Sequence, residues 1–105
     1  MIGYAFHPEA RVDLAEIWEF IRVHNLDAAD IVVAEVLSAI RDLVPFPHQG
    51  YRRTDLTNRP MRFIRVRDYL IAYAPDENPL WVIAVIHGHR SPRVMAAILR
   101  GRQER

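Results

Sequence analysis

The sequence predicts a single α+β domain of order β-α-α-β-β-β-(α), a mainly antiparallel sheet with a helical hairpin packed on one face. Three observations predict it. Apolar residues recur at helical spacing from residue 8 to residue 44. They change to strand-like runs between residues 62 and 87. The chain has 105 residues, half of them apolar, the size of one domain with one core.

Each element has a local reason. Ile2, Tyr4 and Phe6 alternate with small or polar residues, as in a short strand. Pro8 and Glu9 then suit the first turn of a helix. Ala10, Leu14, Ile17 and Ile21 share one face of that helix, which runs to about His24, and Trp18 and Phe20 flank the face. Asp27 is the expected N-cap of a second helix, with Ala29, Val33, Val36, Ile40 and Val44 on its apolar side. The short link makes the two helices an antiparallel hairpin, and Pro45 and Pro47 end it.

Three strands are expected at Arg62–Arg67, Tyr69–Ala74 and Leu80–His87. Asp68 marks a tight turn, and residues 75–79 form a loop with a proline at each end. Residues 80–86 are apolar at every position, so that strand should be central and covered on both faces. Ser91 and Pro92 can start a basic C-terminal helix or tail over residues 91–105, with Met95, Ile98 and Leu99 on its apolar side and Arg93, Arg100, Arg102 and Arg105 around them.

The formal net charge of +1 conceals a segregation. Residues 1–50 carry 3 Arg and 8 Asp or Glu, a balance of −5; residues 51–105 carry 11 Arg and 5 Asp or Glu, a balance of +6. All basic residues are arginine, and there is no lysine and no cysteine. The missing thiol removes disulfides, thiolate metal sites and a Cys nucleophile. No apolar run approaches a membrane span, and the N-terminal residues lack the basic and apolar regions of a signal peptide, so a cytoplasmic protein is expected.

Few residues invite chemistry. Asp13, Glu16 and Glu19 advance around the polar side of the first helix and read as a solvated face. His87 and His89 have a spacing that some metal sites use, but no third ligand completes a set; no metal and no cofactor are expected, and His87 reads as a hydrogen-bonded structural residue. The arginines carry the strongest signal. Strand alternation puts Phe63, Arg65 and Arg67 on one face, with Arg62, Ile64 and Val66 on the other. Arg65, Arg67 and Arg90 would then form a basic surface for phosphates or acidic side chains. Arginine holds phosphate charge but stays protonated, so a hydrolase here would need His, Asp, Glu or Tyr as its base.

The chain resembles the ParE/RelE superfamily of toxins from type II toxin–antitoxin modules, which includes plasmid-stabilisation proteins. The resemblance covers residues 4 to about 99. It rests on Phe6-His7-Pro8-Glu9-Ala10 with Asp13-Leu14 and Ile17-Trp18, on Pro47 followed by Gly50, and on Arg62 before a strand. It continues through Tyr69-Leu70-Ile71-Ala72-Tyr73 and Val85-Ile86-His87-Gly88-His89-Arg90.

The resemblance implies the same fold and a cognate ParD- or RelB-like antitoxin that wraps the toxin in a hetero-oligomer. Trp18, Phe20, Phe63 and Tyr73 are the candidate antitoxin contacts; Arg62, Arg65, Arg67, Arg90 and Arg93 are the candidate target contacts. RelE-like members cleave mRNA on the ribosome with basic residues and often a C-terminal tyrosine, whereas ParE-like members poison DNA gyrase. This chain has no lysine and no tyrosine after Tyr73, and its His-Gly-x-Arg ending is similar to the ParE side. The expected function is a gyrase inhibitor rather than an enzyme. One alternative is a ribosome-dependent endoribonuclease using Arg65, Arg67, His87 and Arg90; the other is a non-toxic RNA-binding or structural member of the family.

Overall fold

The computed structural model describes residues 3–102. Its elements, in chain order, are β1 (Tyr4–Phe6), α1 (Pro8–Arg22), α2 (Leu26–Leu43), a 3-10 turn (Pro47–Gln49), β2 (Arg62–Val66), β3 (Tyr69–Ala74), β4 (Leu80–His87) and α3 (Pro92–Arg100). This is the expected α+β order. Ile2 of the first strand, and Arg105 with the end of the basic tail, lie outside the described residues.

Local chemistry explains most boundaries. His7 Nδ1 accepts the Glu9 N–H at 3.0 Å and caps α1, with Pro8 in its first turn. Asn25, not Asp27, caps α2: its Oδ1 accepts the Ala28 N–H at 3.0 Å. Asp27 already lies in the first turn, where its charge suits the positive end of the helix. Ser91 Oγ accepts the Val94 N–H at 3.2 Å and starts α3 as expected. That helix stops at Arg100, and the chain turns inward at Gly101 and Arg102.

The sheet has the order β1-β4-β3-β2. β2, β3 and β4 are antiparallel neighbours, and β1 runs parallel to β4. β4 is therefore interior, as its unbroken apolar run requires. The α1/α2 hairpin covers one face through Ala10, Val32, Val36, Ile40 and Leu43, which meet Tyr69, Ile71, Tyr73, Val82 and Val85. The opposite face is covered too. Leu56 and Met61 from the loop before β2, together with Met95 and Leu99 of α3, close over Phe63, Leu70, Ala84 and Ile86.

Two irregularities position the rest. β2 ends at Val66, and Arg67-Asp68 make a two-residue hairpin in which Arg67 has φ 53°. A positive φ at the first turn position fits a type II′ turn, a place that usually takes glycine. Arg67 thus leaves the strand alternation. The pairing of β3 with β4 also shifts: Ala72 faces Ala84, but Tyr73 faces Val82, so Ile83 is an extra residue on β4. The bulge reverses which backbone groups of β4 face outward.

Candidate functional site

β1 pairs with β4 only as far as Val82, where the His7 N–H donates to the Val82 carbonyl at 2.8 Å. The chain then turns into α1 and leaves the remaining edge of β4 without a strand. Two side chains take the place of the first missing rung. Asp13 Oδ2 accepts the Val85 N–H at 3.0 Å, and Arg102 Nη1 donates to the Ile83 carbonyl at 3.0 Å. The two side chains also join each other through a two-pronged pair, Nη1 to Oδ2 at 2.5 Å and Nη2 to Oδ1 at 2.9 Å. Their exposures are only 17% and 10%, which makes this a buried ion pair. Asp13 raises the affinity of the Arg102 guanidinium for its proton through the hydrogen bond and its charge, against the cost of burial.

This arrangement corrects two expectations. Asp13 does not belong to a solvated acidic face, and Arg102 does not circle α3 in solvent. The only sequence signal for the pair was the Asp13-Leu14 portion of the family pattern; Arg102, far along the chain, gave none.

A cleft of about 350 Å³ opens between α1, the end of β4 and α3. Glu16, Ile17 and Phe20 line one side; Tyr69, Val85 and His87 form the floor, and Arg90 and Ile98 the other side. Phe20 is 73% exposed, a large apolar group presented to solvent. The His87 and His89 rings stack at 4.4 Å, and the His89 N–H donates to His87 Nδ1 at 3.1 Å. In neutral His87 the ring proton therefore sits on Nε2. The Tyr69 ring meets His87 edge-on at 5.2 Å, and burial, with Asp68 nearby, pushes its phenol above the usual range. Among the described residues no group of three His, Cys, Asp or Glu could hold a metal ion.

The predicted arginine surface divides. Arg62 is half-buried and donates from Nη1 to the Gly50 carbonyl at 2.7 Å. Arg67 does not share a face with Arg65: its positive φ turns it towards the helices, where it makes a two-pronged pair with Glu35 at 2.9 and 2.7 Å. Arg65 stays exposed on the opposite face, donates to the Arg67 carbonyl at 3.1 Å, and lies over Gly88. Arg90 and Arg93 are exposed on either side of the Ser91 cap. The structure therefore gathers Arg65, His87, His89 and Arg90 at one end of the sheet and removes Arg62 and Arg67 from that group.

The candidate docking residues divide as well. Phe63 and Tyr73 are fully buried, so neither offers surface. Phe63 lies in the core beneath α3. The Tyr73 hydroxyl donates to the Pro47 carbonyl at 2.7 Å and accepts the Gly50 N–H at 3.0 Å. Burial raises the Tyr73 phenol above the usual range. Trp18 is half-buried and ties α1 to α2, its Nε1 donating to Asp30 Oδ1 at 2.9 Å. Phe20 alone of the four is open, and Val23 beside it is 71% exposed.

The Glu35–Arg67 pair has a consequence in acid. The hydrogen bond from Arg67, helped by its charge, holds the Glu35 carboxyl below the ordinary value of 4.5. A lowered folded value contributes stability that is present above the ordinary value and lost as pH falls through the lowered one. Glu35→Gln should therefore be slightly less stable than the native chain near neutrality, with the gap closing in strong acid, below the ordinary carboxylate range. Urea midpoints at the two pH values test this, and a gap independent of pH would rule it out.

The fold and cleft define a small α+β module with a basic sheet end and an exposed aromatic wall. The model of the ParE toxin of type II toxin–antitoxin system, parDE, matches residues 4–92, and the chain belongs to this family of toxins. No curated protein matches the chain. Membership implies a cognate antitoxin partner. Among the described residues no helix is long and apolar enough to cross a membrane.

Proposed function

We propose that this toxin acts by poisoning DNA gyrase through a protein–protein contact and that it does not cut RNA. The observation that supports this reading best is the state of three proton-exchanging groups on the cleft floor, His87, Asp13 and Tyr69. His87 Nδ1 is occupied by the His89 N–H, which leaves the proton on Nε2 and no free lone pair on the neutral ring. Asp13 is held by Arg102 and the Val85 N–H. Burial pushes Tyr69 towards its protonated form. A general base needs an available lone pair within reach of its substrate, and these groups have spent theirs.

The test is direct. Purified toxin should inhibit gyrase supercoiling and trap cleaved DNA. Supercoiling left untouched would end this reading. Arg90→Glu should weaken inhibition by about tenfold or more without moving the thermal midpoint, because Arg90 is an exposed arginine at the cleft rim. Equal inhibition by the native chain and Arg90→Glu would remove Arg90 from the contact.

One observation favours a second reading. Arg90 and the stacked histidines lie together at the cleft, with Arg65 over Gly88 on the other face, an arrangement that could hold a phosphate at Arg90. Under that reading, translating ribosomes would show codon-specific mRNA cleavage, abolished by Arg90→Ala and by His87→Asn. Intact mRNA would exclude it.

A further inference from the structure

The two covers of the sheet carry opposite charge. The α1/α2 hairpin holds eight Asp or Glu and three Arg between residues 8 and 43. The other cover, made of residues 51–61 and α3, holds five Arg and a single Asp. Two of those arginines are engaged: Arg53 pairs with Asp55, and Arg59 donates to the Leu99 and Arg102 carbonyls. Arg93 and Arg100 are exposed, and among the described residues neither has a carboxylate partner. Arg65 rises from the same side of the sheet, over Gly88 and shortly before Ser91 caps α3, and it too is exposed. In α3, Met95 and Leu99 face the core. Helical spacing then puts Arg93, Ala96, Ala97 and Arg100 on the outer side. Arg93 and Arg100 stand two turns apart, about 10 Å along the axis, with the two alanines between them.

We propose that the outer side of α3, with Arg65 beside it, is a binding surface for the phosphate backbone of double-stranded DNA. The charge pattern selects a polyanion, and the choice of DNA rests on the gyrase reading, because gyrase holds a duplex while it works. The surface adds a grip on that duplex to the contact with the enzyme. Arginine suits the task, since its fork meets phosphate oxygens two at a time and never loses its charge. The 10 Å between Arg93 and Arg100 matches about three phosphate steps of one strand. Between them the alanines let the helix approach closely. The helix has no Asn, Gln or aromatic side chain to read or stack on bases, so the contact is with the backbone and indifferent to sequence. The stripe also lacks the large apolar anchor that a protein partner would need. The acidic hairpin on the opposite cover repels DNA and so orients the toxin with α3 towards it.

Fluorescence anisotropy of the full-length toxin with a short labelled duplex of random sequence tests this without gyrase. Phosphate contacts by Arg65, Arg93 and Arg100 should make the binding constant fall about 40-fold between about 50 and 200 mM salt. Arg93→Gln/Arg100→Gln should cut that salt slope by about two thirds and weaken binding by about tenfold or more at the lower salt. Its thermal midpoint should match the native one, because both side chains are exposed. Arg11→Gln/Arg41→Gln, on the hairpin, should bind like the native chain. A toxin that leaves the duplex free at the lower salt overturns the proposal, and so does binding that the α3 variant leaves unchanged. Tighter binding to an RNA duplex of the same sequence assigns the face to RNA and also overturns it. Gyrase supercoiling, measured beside the anisotropy, separates the two readings. DNA binding through α3 with supercoiling untouched supports the surface and ends the gyrase reading. Inhibited supercoiling without DNA binding keeps the gyrase reading and overturns the surface.

Discussion

Arg102→Ala is expected to destabilise the fold by about 3–5 kcal/mol, the usual cost of removing one partner from a buried ion pair. Three losses coincide at this residue. Asp13 keeps a charge in a half-buried position with no cation to balance it. The Ile83 carbonyl loses its donor. The turn after α3 loses the tie that fastens it to β4, leaving the Arg59 guanidinium, which donates to the Leu99 and Arg102 carbonyls at 2.9 and 2.8 Å. Asp13→Asn should cost less, because an amide oxygen can still accept the Val85 N–H. The double variant Asp13→Ala/Arg102→Ala should be far less damaging than the sum of the single changes. Urea denaturation of the set measures all of this. An Arg102→Ala chain within about 0.5 kcal/mol of the native one would show that the clasp holds nothing.

Gly50→Ala should carry the second large effect, about 2–4 kcal/mol. Its φ of −71° is open to any residue, so the demand for glycine is one of space rather than of backbone conformation. A methyl group there would meet the Tyr73 hydroxyl and the Phe63 carbonyl, the latter at 2.9 Å. The phenol would have to move, and it is fixed by the Pro47 carbonyl and the Gly50 N–H. Tyr73→Phe alone should cost about 1–2 kcal/mol through those two bonds. Introducing Gly50→Ala into the Tyr73→Phe background should then cost less than it does in the native chain, because the colliding oxygen is gone. Equal costs in both backgrounds would place the collision elsewhere.

The legible parts of the molecule are those governed by periodicity and punctuation. The run at residues 80–87 announced an interior strand, and Ser91-Pro92 announced the start of a helix; both boundaries match. The hairpin helices were equally plain, apart from a shift of the cap to Asn25. What was hidden depends on contacts across long sequence distances. Strand alternation placed Arg67 with Arg65, but alternation holds only inside the strand, and a positive φ at the turn sent Arg67 to Glu35 instead. The second core was concealed because Leu56 and Met61 sit in an irregular stretch whose role appears only when α3 folds over them. Tyr73 and Phe63 looked like surface candidates for the same reason: a strand pattern gives a side, and the covering layer decides whether that side is wet. The β4 edge is open because β1 ends and the chain turns into α1, and the bulge that decides which backbone groups face that edge has no signature in an uninterrupted apolar run.

The clasp also bears on how the toxin is made. Asp13 and Arg102 are separated by 89 positions, and β1 has no neighbour in the sheet until residues 80–82 exist to pair with it. A chain emerging from the ribosome therefore presents its first helix long before the carboxylate on that helix has a counterion or an amide to hold. The clasp can close only after Arg102 has been made, and closing so long a loop is a late and slow event. A chain that stops short of Arg102 lacks the clasp and one wall of the cleft, so the site exists only once both ends of this long loop have met.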